Sequence, residues 1–155
     1  LDSVLSPAFY DPLPAAHAMM GELAGLLAQR DNEQDILDVA RRWANDRRFQ
    51  VGVQQLKQVV RPAQAGAAYS AIAESTISCL CDRVEQRFAE AHGGFRGQRL
   101  AVLGLGKLGS REMSATSDLD LVVVYDAPDG AASDAKGWWA ETFYGRFGAK
   151  AKAAA

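Results

Sequence analysis

At Gly93-Gly94 the hydrophobic period of this chain switches from helical to extended. Upstream, Tyr69, Ile72, Ala73, Thr76, Ile77, Leu80, Val84 and Phe88 recur at threes and fours over more than four turns, the spacing of one apolar face of a long helix that the glycine pair would end. Downstream, residues 99–103 (RLAVL) and 118–125 (DLDLVVVY) are short apolar runs bounded by glycine or turn residues, and they read as strands. From Val122 to Val124 the second run is apolar at every position, as an interior strand covered on both faces would be. Helices and strands segregated in this way predict an α+β arrangement. It comprises a helical bundle over residues 1–95 and the opening of a helix-and-sheet domain over 96–150.

Two shorter helices precede the long one. Residues 14–29 carry Met19, Leu23, Leu26 and Leu27 on one face. A second helix starts after Asn32, whose short amide suits an N-cap, and places Ile36, Ala40 and Trp43 on a stripe running toward Phe49. Residues 50–60 either continue it or open another helix. After residue 126, residues 129–133 read as a loop. Residues 136–147 read as a helix, with Trp139, Phe143 and Phe147 four apart and core packing as the expected fate of Trp138 and Trp139. Residues 148–155 are of low complexity and receive no function.

Composition excludes several classes of function. Seventeen Lys and Arg against nineteen Asp and Glu leave a net charge of −2, which gathers neither nucleic acid nor an anionic membrane. No apolar run approaches the roughly 18 residues of a bilayer span, and the acidic start lacks a basic leader region; a cytoplasmic protein is expected. Cys79 and Cys81 lack the CxxC spacing of a zinc site and read as reduced thiols. His17 and His92 have no ligand types beside them and are assigned no role.

The chemistry lies in residues 100–126 (LAVLGLGKLGSREMSATSDLDLVVVYD). Residues 104–109 (GLGKLG) follow a strand and match G-x-G-x-x-G, with Asp126 ending the next strand, as in a dinucleotide fingerprint. A parallel unit of that kind needs a full helical crossover. Only residues 110–117 (SREMSATS) intervene, enough for two turns at most. The second reading starts from Asp118 and Asp120. On a strand, side chains two apart share a face at roughly 6 to 7 Å, so two carboxylates would converge there and repel unless a hard cation such as Mg2+ lay between them. Gly109-Ser110 just upstream would supply a turn whose N–H groups and hydroxyl hold phosphate oxygens at a short helix's N-terminus.

An apolar residue, Gly-Ser, a short spacer and Asp-x-Asp together resemble the signature of the DNA polymerase beta-like nucleotidyltransferases, which move a nucleotide from an NTP to a hydroxyl. Residues 104–113 (GLGKLGSREM) and 117–126 (SDLDLVVVYD) further resemble the bifunctional glutamine synthetase adenylyltransferase/adenylyl-removing enzymes. Residues 7–12 (PAFYDP) and 41–49 (RRWANDRRF) resemble the helical segment before the C-terminal, adenylylating half of that family.

The resemblance implies a truncated nucleotidyltransferase domain after the bundle, AMP transfer from ATP to a tyrosine hydroxyl of glutamine synthetase, Mg2+, and PII signalling proteins as regulators. By position, Asp118 and Asp120 become catalytic, metal-binding carboxylates, Gly109 and Ser110 the nucleotide-binding turn, and Lys107 a phosphate contact or a solvated strand-end lysine. Glu112 reads as an acid at a helix N-terminus and Arg111 as surface. The family's third carboxylate, in a "VDxRLRP"-like segment, has no counterpart after Asp126; Asp129, Asp134 and Glu141 do not resemble it. The chain therefore reads as a fragment with a metal half-site and little catalysis of its own. The alternatives are the phosphorolytic, deadenylylating half, a dinucleotide-binding domain, and a helical interaction module docking through the 69–88 stripe.

Overall fold

The computed structural model describes residues 6–93 and 99–126. The expected 129–133 loop, the 136–147 helix with Trp138 and Trp139, and the 148–155 tail lie outside the described residues. The element order is a short 3-10 turn (Pro7–Tyr10), α1 (Ala16–Ala28), α2 (Glu33–Leu56), α3 (Pro62–His92), β1 (Arg99–Gly104), a single turn α4 (Gly106–Gly109) and β2 (Leu121–Asp126). Among the described residues the chain is mostly helical with one two-stranded sheet, in keeping with the α+β expectation. No described helix is long and apolar enough to cross a membrane.

Each helix begins and ends for a local reason. The Asn32 side chain accepts a hydrogen bond from the Gln34 N–H at 2.8 Å, and Glu33 and Asp35 place negative charge in the first turn of α2, where the helix dipole favours it. Pro62 opens α3, and the Gln64 side-chain carbonyl accepts from the Arg61 N–H at 2.9 Å. Gly93, at φ 80°, closes α3 as expected. Residues 50–56 continue α2. It ends with Gln58 at φ 59°, where the Val59 N–H bonds Gln54 O and the Gln58 N–H bonds Gln55 O, the paired closure of a Schellman turn.

The three helices share one core. Met19, Leu23 and Leu27 of α1, Ile36, Ala40, Trp43 and Val51 of α2, and Tyr69, Ile72, Ile77 and Leu80 of α3 are buried in one cluster. α3 packs against both of its neighbours. Leu26 is 39% exposed, contrary to its expected place on the buried face. The stripe Met19, Leu23, Leu27 turns by about 40° at each i+4 step, so in the last turn Leu26 stands about 100° from it. Phe49 is likewise exposed, and the buried stripe of α2 runs through Gln50, Val51 and Gln54 instead. Those glutamines are buried because their amides donate to Phe9 O and Asp11 O at 2.8–2.9 Å, tying the 3-10 turn to α2. Ser70 and Ser75, fully buried on α3, donate to the carbonyls of Gly66 and Ala71 one turn back.

β1 and β2 pair antiparallel, from Arg99 opposite Asp126 to Gly104 opposite Leu121. The strand expected to begin at Asp118 begins at Leu121, because β1 ends at Gly104 and leaves earlier residues no ladder partner. One last bond, from the Leu105 N–H to Asp120 O at 2.8 Å, lies beyond the ladder. The in–out alternation nevertheless persists upstream of β2. Leu119 and Leu121 pack against the core, and Asp118 and Asp120 are exposed like Val122 and Val124. The interior strand expected from the 122–124 run is thus covered on one face. Val122 and Val124 are 42% and 46% exposed, since the described elements cover the sheet only from the α3 side.

Candidate functional site

Three glycines shape the segment between the strands. Gly106 adopts φ +53°, and a Cβ there would stand 2.8 Å from Asp120 Oδ2; the Asp120 carboxylate thus lies directly against the bare backbone of the turn. A Cβ on Gly109 would meet Gly104 O at 2.7 Å, and one on Gly104 would meet the Leu108 side chain at 2.9 Å. The glycine spacing that imitates a dinucleotide fingerprint has a different basis here. It folds one helical turn tightly back on the end of β1, burying Leu108 and bringing residue 120 over residue 106. The antiparallel pairing of β1 and β2 is also not the parallel pairing of a Rossmann unit.

Gly109 and Ser110 do not stand at a helix N-terminus, as expected of a phosphate-holding turn; they close α4 at its C-terminal end. Their N–H groups already donate to Leu105 O at 3.1 Å and Gly106 O at 3.0 Å. The Arg111 N–H bonds Leu108 O and the Glu112 N–H bonds Lys107 O, with Arg111 itself at φ 60°. This is a second Schellman closure, with arginine where glycine is usual. Glu112 is therefore past a helix C-terminus and not at an N-terminus, because the chain reverses there rather than starting a helix. What Ser110 presents to solvent is its hydroxyl, 3.2 Å from Glu112 Oε2 and 3.5 Å from Lys107 O. Lys107 is exposed on α4, not at a strand end.

The helices hold this segment from behind. Arg111, read from sequence as plain surface, pairs with Glu74 of α3 at 2.8 Å. Met113 is buried in the helical core. A Cβ on Gly66 of α3 would stand 3.4 Å from both Glu112 Cα and Met113 O, so the connector backbone lies against the helix at the one residue without a side chain. Arg48 Nη2 of α2 donates to Ala115 O. Burial pushes the Tyr69 phenol above its ordinary range, with the Arg48 guanidinium pulling partly the other way. None of these supports is periodic in sequence. Nothing in the sequence sets Gly66 or Glu74 apart from the other residues of α3, and Arg48 enters only through the upstream resemblance.

Asp118 and Asp120 are both exposed on the open side of this arrangement, as are Lys107 and Ser110 on the adjoining turn. Among the described residues no three His, Cys, Asp or Glu side chains cluster as a metal site. Two exposed carboxylates with solvent on their free side do fit Mg2+, which keeps several waters and takes one or two carboxylates together with substrate phosphates. On the opposite side of the sheet a cleft of about 490 Å3 runs between α3 and the inner faces of the strands, lined by Glu74, Cys81, Asp82, Leu100 and Val102 among others. It holds neither aspartate. Cys79 and Cys81 are free thiols, both raised above the usual thiol range by burial and then by the nearby Asp82 carboxylate, which leaves them poor nucleophiles. The 69–80 part of the α3 stripe, the docking surface of the interaction-module alternative, is buried at Tyr69, Ile72, Ile77 and Leu80.

A family model described as glutamate-ammonia ligase adenylyltransferase matches residues 1–154. Three similar curated proteins carry the name bifunctional glutamine synthetase adenylyltransferase/adenylyl-removing enzyme. That of Xanthobacter autotrophicus is 45% identical over 125 residues, 81% of this chain and 13% of the relative. That of Mesorhizobium japonicum is 38% identical over 136 residues, 88% of this chain and 14% of the relative. That of Bradyrhizobium diazoefficiens is 35% identical over 126 residues, 81% and 13% respectively. The aligned part of this chain spans only 13–14% of the length of each relative.

Proposed function

The chain belongs to the glutamate-ammonia ligase adenylyltransferase family, and from that premise we propose that it carries part of a nucleotidyltransferase site that moves AMP from ATP to a tyrosine hydroxyl of glutamine synthetase. The observation that supports this best is the approach of the Asp120 carboxylate to the backbone of Gly106, which unites the glycine turn and the Asp-x-Asp pair in one place. In this reading residues 1–95 are a helical segment and 96–150 open the nucleotidyltransferase domain. The adenylylating half is favoured over the phosphorolytic, deadenylylating half by Arg111-Glu112-Met113 and by the upstream residues 7–12 and 41–49. PII-type proteins would regulate the reaction, in the cytoplasm.

Asp118 and Asp120 would hold Mg2+, whose chemistry when bound is to neutralise charge on the phosphates and the attacking oxygen. The exposed Lys107 ammonium is the group best placed to bind phosphate oxygens; the Ser110 hydroxyl would have to turn away from Glu112 Oε2 to do so, and the Gly109 and Ser110 amides are engaged within the turn. Gly106 keeps a side chain out of the space between the turn and the Asp120 carboxylate. A third carboxylate from another part of the enzyme would complete the site, so this chain alone would bind more readily than it reacts; phosphoryl-type transfer depends almost wholly on positioning and charge neutralisation.

The test is calorimetric titration of ATP with and without Mg2+ into this chain and into Asp118→Asn/Asp120→Asn, beside a titration of NAD. Mg2+-dependent ATP binding that weakens roughly tenfold or more in the double variant, about 1.4 kcal/mol, is the expected result. ATP binding indifferent to the variant, NAD binding indifferent to Mg2+, or no ATP binding at all would overturn the reading.

A further inference from the structure

We propose that Arg48, on α2, is a positioning residue for the Asp118–Asp120 carboxylates, acting through the Ala115 carbonyl. Residues 111–120 form neither helix nor strand beyond the closure of α4, so tertiary anchors must set where the two aspartates stand. At the upstream end, Arg111 is tied to Glu74 and Met113 is buried beside Gly66. At the downstream end, Leu119 packs on the core and Asp120 O accepts from the Leu105 N–H. The stretch between them bonds mainly to itself. The Ser114 N–H donates to Ser117 Oγ at 2.8 Å, and the Ser117 N–H donates to Ser114 O at 3.2 Å.

That self-bonded turn meets the helices through the Arg48 guanidinium on Ala115 O, three residues before Asp118. Behind it lies a small cavity of about 100 Å3 lined by Arg48, Tyr69, Thr76, Met113, Ser117 and Leu119, among others. The turn thus spans a gap that packing does not fill, and a charged donor to its carbonyl is the contact that fixes its height above the helices. A hydrogen bond to a charged donor is among the stronger kinds. The partner is a backbone oxygen, so residue 115 can be anything without changing the contact.

The functional arm of this proposal rests on Asp118 and Asp120 being nucleotide-site carboxylates; the structural arm does not. Amide hydrogen exchange on the full chain tests the structural arm, comparing wild type with Arg48→Ala and Arg48→Lys. In Arg48→Ala the Ser114, Ser117 and Leu105 amides are expected to exchange roughly tenfold faster or more, a larger factor than at the core amides of α1 and α3. Arg48→Lys, which keeps a charged donor, is expected to recover part of that protection. Unchanged exchange at those three amides would overturn the proposal. So would acceleration spread evenly over the chain with a matching fall in melting temperature, which marks a merely structural residue. In parallel, Mg2+–ATP affinity is expected to fall several-fold in Arg48→Ala and to return in part in Arg48→Lys. If wild type binds no Mg2+–ATP, the nucleotidyltransferase reading fails while exchange still decides the role of Arg48. If wild type binds and Arg48→Ala binds equally well, Arg48 does not position the carboxylates.

Discussion

An alanine methyl has opposite consequences at different glycines of this chain. Gly21 and Gly25 lie on the exposed side of α1, and a Cβ at either meets nothing within 4 Å. There the methyl restricts the unfolded chain and improves helix propensity without strain. Gly109 faces the Gly104 carbonyl, where a methyl would stand 2.7 Å from a backbone oxygen that cannot swing away. Gly106 adds a left-handed backbone to its contact with Asp120. Urea denaturation should therefore find Gly21→Ala and Gly25→Ala each more stable than wild type by about 0.5–1 kcal/mol, and Gly106→Ala and Gly109→Ala less stable by about 1–3 kcal/mol. If Gly109→Ala leaves stability unchanged, the close approach of α4 to β1 is not as described. Sequence flags all of residues 104, 106 and 109 as glycines with a purpose. What it cannot supply is the purpose, since a G-x-G-x-x-G spacing serves a dinucleotide turn and this reversed turn equally well.

At the scale of elements, the two Schellman closures show how much of an element is written locally. The long stripe of α3, the Asn32 cap of α2 and the glycine end of α3 are legible because periodicity and capping involve residues near one another in sequence. The start of β2 is not, because the end of β1, and not any property of Asp118, decides where the ladder stops. Neither is the end of α4. A helix followed by glycine would be read at once, whereas Arg111 occupies the left-handed position itself at φ 60°, as Gln58 does at φ 59° after α2. A non-glycine residue there carries a conformational cost of about 1–2 kcal/mol, and the Arg111–Glu74 pair, exposed on both sides, offsets little of it. Thermal melts should accordingly rank Arg111→Gly above Arg111→Ala by about 1 kcal/mol, because both lose the ion pair and only glycine relieves the backbone. Gln58→Gly should stabilise by about 0.5–1 kcal/mol. Equal stability of Arg111→Gly and Arg111→Ala would mean that residue 111 is not held in the left-handed region.

At the scale of the whole molecule, the core does not stop at the change of hydrophobic period. Leu108 and Met113, from the site segment, belong to the same buried cluster as Met19, Leu23, Trp43 and Tyr69, and Val102, Leu119 and Leu121 pack against it. The helices thus supply the inner wall on which the glycine turn and the connector to the aspartates rest. A composition that shifts from helical to extended at Gly93-Gly94 conceals this sharing, because tertiary burial leaves no mark on local period. One consequence is that damage on either side of the glycines should be felt on both. Leu23, fully buried on α1, and Met113, in the connector, are far apart in sequence, yet Leu23→Ala and Met113→Ala should each lower stability by about 2–5 kcal/mol. Each should also speed exchange at β2 amides together with α3 amides, as one cooperative unit opening. Far-UV circular dichroism and residue-resolved exchange on the same samples separate the outcomes. If Leu23→Ala lowers the helical transition while β2 protection stays at its wild-type level, the sheet and its glycine turn fold independently of the helices. The helices would then be neighbours of the carboxylate pair and not the support that fixes it.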